Sequence, residues 1–127
     1  MKLRIRGNSL RLRVTRSELT QIAEQGTADD SIQFAPGTEW RYGIEVKPGG
    51  EVAVQFAANS LRVILPKARV AHWLDDSEVA IEAEHSIGDG QTLRILVEKD
   101  YTCLAPRTGE DDSDLFVNPQ QPKEAGP

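Results

Sequence analysis

The first sixteen residues hold Lys2, Arg4, Arg6, Arg11, Arg13 and Arg16, and no acid. Five of these cations fall at every second position of two short runs, "KLRIR" and "LRLRV". Alternate side chains of a strand share one face, so Lys2, Arg4, Arg6, Arg11 and Arg13 collect on one side of a small sheet. Leu3, Ile5, Leu10, Leu12 and Val14 collect on the other. Like charges held so close repel one another unless an anion faces them, which implies an anionic partner, internal neutralisation, or both. Phosphate contacts from such a face give an affinity that falls steeply with salt. The competing reading is a solvated strand, since Lys and Arg on exposed strands discourage edge-to-edge association.

The opposite charge lies at the other end. Residues 98–127 carry seven acids against three cations, and Glu110, Asp111, Asp112 and Asp114 come just before Phe116. These acids are open to four readings: a carboxylate site for a hard cation, a DNA-mimicking strip folded back onto the arginines, a partner-binding tail, or a solvated linker. The glycine and closing glutamate of a calcium loop are missing. Cys103 is either a nucleophile, with Lys99 and Arg107 near enough in sequence to lower its pKa, or a small buried apolar residue. His72, His85 and Cys103 lack zinc-site spacing. Gly88-Asp89-Gly90 is turn chemistry rather than a phosphate loop, because no helix opening with Lys-Ser/Thr follows. The expectation is a protein without metal, cofactor or catalytic site, with an enzyme built on Cys103, Arg107 and the acidic tail as the minor alternative.

The elements that must position these residues repeat. Gly7-Asn8-Ser9 is a turn joining the two basic strands into a hairpin. Thr15 with Glu18 forms a capping box, Leu19, Ile22 and Ala23 make an apolar stripe, and Gly26 stops the helix. "SIQF" and "EWRYGIEV" then alternate as strands, with Ile32, Phe34, Trp40, Tyr42, Ile44 and Val46 on one face. After Lys47-Pro48-Gly49-Gly50 the order recurs. "VAVQF" places Val52, Val54 and Phe56 together, and Asn59-Ser60 stands for Asn8-Ser9. Leu61, Val63 and Leu65 stand for Leu10, Leu12 and Val14, and Pro66 opens a helix. Val70, Trp73 and Leu74 then match Leu19, Ile22 and Ala23 at an offset of about 51 residues, and Leu93, Ile95 and Val97 match Tyr42, Ile44 and Val46. This predicts a mostly β chain with two short helices: a β-β-α-β-β duplication about a pseudo-two-fold axis. Copy one is residues 1–46 and copy two 52–98, forming one barrel-like domain over 1–104. Each copy alone is too small to bury a comfortable core. Residues 105–127, rich in Pro and acid, are expected to be a partly disordered tail in which Leu115, Phe116 and Val117 dock on the domain.

"IRGNSLRLRVTRSEL" and "NSLRVILPKARVAHWLDDSEVAIEA" resemble the AbrB/MazE (SpoVT-type) swapped-hairpin family, with Leu65-Pro66-Lys67 as its helix-opening element. In that family two chains usually exchange hairpins to build a barrel. Here the resemblance, over about residues 1–99, implies that one chain supplies both copies. It further implies a DNA-binding transcriptional regulator or antitoxin-like module, with Arg4, Arg6, Arg11, Arg13 and Arg16 as nucleic-acid contacts and a toxin as one kind of protein partner. The outward positions of copy two are Ala53, Gln55, Ala57, Arg62 and Ile64, one cation where copy one has five, which argues against symmetric binding. The alternative is a protein-interaction module using that quieter face and the tail, through Glu110, Asp111, Asp112, Asp114 and Phe116. "KLRIRGNSLRLR", "VEKDYTCL" and "EDDSDLFVNP" also resemble a bacterial family without an assigned function.

Composition sets the outer limits. With 39% hydrophobic and 28% charged residues in 127, and a net charge of -5, the chain is an ordinary folded domain rather than a disordered one. It has no apolar run long enough for a bilayer span or a signal-peptide core. The single cysteine fits a reducing compartment, so a cytoplasmic location away from membranes is expected.

Overall fold

The order strand, strand, helix, strand, strand occurs twice. The elements are β1 (Lys2–Arg6), β2 (Ser9–Val14), α1 (Arg16–Gln25), β3 (Thr27–Ala35), β4 (Thr38–Lys47), β5 (Ala53–Ala57), β6 (Ser60–Pro66), α2 (Lys67–Trp73), β7 (Ala80–Gly88) and β8 (Gln91–Lys99). The computed structural model describes residues 1–101 and 114–117. Among these, no helix is long and apolar enough to cross a membrane.

Local chemistry explains the helix ends. The Thr15 hydroxyl accepts from the Glu18 N–H at 3.3 Å, and the Glu18 carboxylate accepts from the Thr15 N–H at 2.9 Å. This reciprocal pair satisfies two amides that the first turn leaves unpaired. Gly26 ends α1 at φ 77, a left-handed conformation that costs a glycine little. Leu19 and Ile22 are buried, but Ala23 is exposed, as is its counterpart Leu74, the residue that caps α2. Successive helical residues point about 100° apart, so a residue adjoining Ile22 or Trp73 turns off the narrow stripe that meets the sheets. Pro66 completes β6 and sits one position earlier than expected, as the residue preceding the first turn of α2.

The chain is mostly β, arranged as two four-stranded sheets rather than the expected barrel. Their strand orders are β1-β2-β8-β7 and β3-β4-β6-β5. β1 and β7 remain edges of one, β3 and β5 of the other, so among the described residues neither sheet closes on itself. Each sheet joins an antiparallel hairpin from the first half of the chain to one from the second through a parallel central pair, β2 with β8 and β4 with β6.

The register of these central pairs repeats. Ser9 faces Arg94 as Ser60 faces Arg41, and Leu10 faces Ile95 as Leu61 faces Tyr42. Bonds outside the ladders follow the same rule. The Arg94 N–H donates to the Asn8 carbonyl at 3.2 Å and the Arg41 N–H to that of Asn59 at 2.9 Å. The Lys99 N–H donates to Val79 at 3.1 Å and the Val46 N–H to Gly26 at 2.8 Å. The front hairpins therefore correspond at an offset of 51 and the rear hairpins at 53. This corrects the expected match by two residues: Tyr42, Ile44 and Val46 correspond to Ile95, Val97 and Lys99. A two-residue slip keeps every side chain on its own face, so alternation alone does not reveal it.

The inner faces of both sheets and the buried stripes of both helices form a common apolar cluster. Leu12, Val14, Ile22, Ile44, Val63, Leu65, Trp73, Ile95 and Val97 are almost completely enclosed in it. Several residues expected to join it do not: Ile5, Ile32, Phe34 and Phe56 are exposed, the two phenylalanines at 68%. Ile32 and Phe34 lie in the part of the β3–β4 hairpin that runs past Arg41, where pairing with β6 begins. Ile5 and Phe56 lie on the edge strands β1 and β5.

Candidate nucleic-acid interface

The β1–β2–β8–β7 sheet buries Leu10, Leu12, Val14, Ile81, Ile95 and Val97 on one face, so the alternate residues make up the other. Strand pairing sets them in rows across the sheet. Lys2, Arg13, Glu98 and Ala80 form one row, Arg4, Arg11, Leu96 and Glu82 the next, and Arg6, Ser9, Arg94 and Glu84 the third. The expected clustering of Lys2, Arg4, Arg6, Arg11 and Arg13 is thus realised. The fold adds Arg94, which the sequence reading passed over.

These cations are not equivalent. Arg13 Nε donates to Glu98 Oε1 at 2.6 Å, and Arg11 Nε lies 3.4 Å from the same oxygen. Glu98 is 17% exposed, and the pairing sits against the sheet rather than out in solvent. Lys2 Nζ stands 3.1 Å from the buried carboxylate of Asp100. Toward the Gly7-Asn8 turn the pattern changes. Arg4 and Arg6 make no ion pair among the described residues, and Arg94 reaches Glu84 only at 4.0 Å, with both side chains largely in water. An exposed contact that long is worth little. A shallow groove of 290 Å³ opens here, lined by Arg4, Arg6, Arg11 and Arg94 with Ser9 and Glu82.

The corresponding face of the other sheet is quieter, as expected from Ala53, Gln55, Ala57, Arg62 and Ile64. Arg62 lies 3.5 Å from Asp29 and 3.4 Å from Glu45, and Arg41 lies 3.3 Å from Glu39. Ile64 is buried rather than outward in solvent. Gly43 allows the close approach of β3 here, since a Cβ at that position would collide with the Asp29 carboxylate.

Arg16, grouped by sequence with the other arginines, is not on the sheet face. It is the first residue of α1, and its backbone N–H donates to the Asp114 carbonyl at 3.0 Å. Asp114 itself does not face the arginine rows. Its carboxylate accepts from the Ser17 hydroxyl at 2.8 Å and the Ser17 N–H at 3.2 Å. The Ser17 hydroxyl, foremost, holds this carboxyl below the ordinary aspartate range. Of the three residues expected to dock from "DLFV", Phe116 packs against the core: its N–H donates to the Asp100 carbonyl at 2.9 Å, and its ring lies 5.7 Å from that of Tyr101, whereas Val117 is exposed. Lys99 Nζ stands over the same ring and donates to the Asp75 carbonyl at 2.8 Å. Desolvation lowers the pKa of this buried lysine. Glu110, Asp111 and Asp112, together with Cys103 and Arg107, lie outside the described residues.

His72 is exposed beside Glu78 at 2.9 Å, and Gly88-Asp89-Gly90 forms the β7–β8 turn. Among the described residues no group of three or more His, Cys, Asp or Glu side chains is arranged to hold a metal ion.

The fold and this face together define a mostly β protein of two open sheets with one basic outer surface. The chain belongs to a family of unknown function (DUF7009), matched over residues 1–120. No curated protein and no solved structure matches it.

Proposed function

We propose that this protein is a cytoplasmic DNA-binding module, a transcriptional regulator or antitoxin-like protein, that grips duplex phosphates through the outer face of β1, β2 and β8. The observation carrying this reading is the charge of that face with the adjoining β7: six cations, Lys2, Arg4, Arg6, Arg11, Arg13 and Arg94, against four carboxylates, Glu82, Glu84, Glu98 and Asp100, in a chain that is acidic overall. We read the chain as an intrachain duplication of the swapped-hairpin kind, similar to AbrB/MazE proteins. The repeating register at offsets of 51 and 53 supports this descent.

The test is retention of a random-sequence duplex at low and moderate salt, comparing the wild-type chain with Arg4→Glu/Arg6→Glu. The reading requires retention by wild type at low salt, lost in the double variant. No retention of the wild-type chain at low salt contradicts it.

The second reading is a protein-interaction module using the other sheet. It is favoured by Phe34 and Phe56, large aromatic side chains left mostly in solvent on that sheet. A variant with both changed to Ser would then lose a partner while keeping any binding to duplex.

A further inference from the structure

The six cations of the basic face divide into two sets, and the division goes beyond a general statement that the face is basic. We infer that Arg4, Arg6 and Arg94 are the phosphate contacts of the free protein, and that Glu98 acts as an internal competitor that withholds Arg11 and Arg13 from the duplex. This rests on the DNA-binding reading above and specifies how that site is tuned.

The argument is one of geometry and screening. A carboxylate at 2.6 Å from Arg13 Nε and 3.4 Å from Arg11 Nε already engages one nitrogen of each guanidinium, where a phosphate oxygen could otherwise bind. Arg11 and Arg13 are only 36% and 41% exposed at the side chain, and Glu98 is enclosed between them and the sheet. Charge-assisted hydrogen bonds at such distances are roughly twice as strong as neutral ones. A phosphate binding at those nitrogens would have to displace Glu98, and a carboxylate left unpaired at 17% exposure carries a desolvation cost that opposes the exchange. Arg4, Arg6 and Arg94 have no such occupant among the described residues, apart from the 4.0 Å contact of Arg94 with Glu84. They line the groove at the turn end together with Ser9, Glu82 and the Glu98-bound Arg11. Lys2 is held by Asp100 at the far end. Ion pairing is therefore closest at the α1 end, around Glu98 and Asp100, and loosest at the turn end, where the Arg94–Glu84 contact is 4.0 Å.

Salt dependence counts the contacts. Each neutralised duplex phosphate contributes about -0.9 to the slope of log affinity against log salt. Three contacts give a slope of about -2.7, a loss of about 40-fold between roughly 50 and 200 mM salt. Releasing Arg11 and Arg13 brings this to about -4.5, a loss of about 500-fold over the same range. The experiment titrates the full chain into a labelled random-sequence duplex at several salt concentrations, for wild type, Glu98→Gln, Arg4→Gln and Arg13→Gln. Glu98→Gln is expected to bind more tightly at low salt with the steeper slope. Arg4→Gln should flatten the slope from about -2.7 to about -1.8, and Arg13→Gln should leave it unchanged. If Glu98→Gln fails to fold, the contrast between Arg4→Gln and Arg13→Gln decides alone. Equal slopes for wild type and Glu98→Gln, or equal losses for the two arginine variants, overturn the inference while duplex binding stands. No binding by the wild-type chain at any salt removes the DNA reading itself.

Discussion

Arg13 Nε donates to Glu98 Oε1 across 2.6 Å, from β2 to its parallel neighbour β8. The two residues are 85 positions apart in sequence, and their contact turns five nominally equal cations into a compensated set and a free one. In the other sheet Ile64 stands in the place of Arg13, and Arg62, the counterpart of Arg11, lies 3.4 Å from Glu45, the counterpart of Glu98. There no uncompensated row accompanies it, since Gln55 and Ala57 occupy the places of Arg4 and Arg6.

This asymmetry predicts which arginines matter to duplex binding. Arg94→Glu should weaken binding to the same degree as Arg4→Glu, whereas Arg41→Glu, its register counterpart in the other sheet, should leave affinity within about twofold, since a charge outside the interface is screened over roughly 10 Å. Fluorescence anisotropy with one duplex at one salt concentration checks this. Equal losses in Arg94→Glu and Arg41→Glu would mean that both sheets touch DNA.

Trp73 is 1% exposed and its indole N–H donates to the Val79 carbonyl at 3.2 Å. Trp73→Ala removes the largest fully buried side chain among the described residues and one of the two donors to that carbonyl, which keeps the Lys99 N–H at 3.1 Å. A destabilisation of about 3–5 kcal/mol is expected in chemical denaturation, enough to unfold a marginal chain at ordinary temperature.

Gly43 is required by the close approach of β3 to β4. A methyl group there would stand 2.5 Å from the Ala28 carbonyl oxygen and collide with the Asp29 carboxylate. Because one of the obstacles is backbone, the strands must separate, and Gly43→Ala should cost about 1–3 kcal/mol. A thermal melt of this variant beside Gly49→Ala, where an added Cβ meets nothing within 4 Å, gives the comparison.

Docking of the Asp114 segment should depend on pH in one direction. The Ser17 hydroxyl and amide favour the ionised carboxyl, so its pKa in the folded chain is lowered. The stabilisation is therefore fully present above the ordinary aspartate value and is lost as pH falls through the lowered one. Protection of the Ser17 amide from hydrogen exchange should fade in that acid window for wild type. Asp114→Asn should show weak protection with no such acid step.

The parts of this structure legible in the sequence were those fixed by local chemistry. The β1–β2 turn, the Thr15–Glu18 box and the Gly26 stop each rest on residues within a few positions of one another, and all appear as read. The long-range pairings were not legible. Alternation places Arg94 and Glu98 on the outward side of β8, but only the parallel register with β2 brings them beside Ser9 and Arg13. The same blindness to period-two slips hid Lys99 at the position corresponding to Val46, where it is buried at 3% exposure beneath Phe116. Phe34 and Phe56 mark the converse failure: alternation assigned them to an apolar face but could not say where cover from the rest of the fold ends.

The most direct test of the account is a map of where duplex DNA touches the protein. Backbone amide shifts, followed by NMR as a random-sequence duplex is added to the full chain, should move in β1, β2 and β8, with the largest changes around Arg4, Arg6 and Arg94. The outer positions of β3 to β6 should stay unchanged. Shifts centred on the β3–β4–β6–β5 sheet, or none anywhere at low salt, would contradict it.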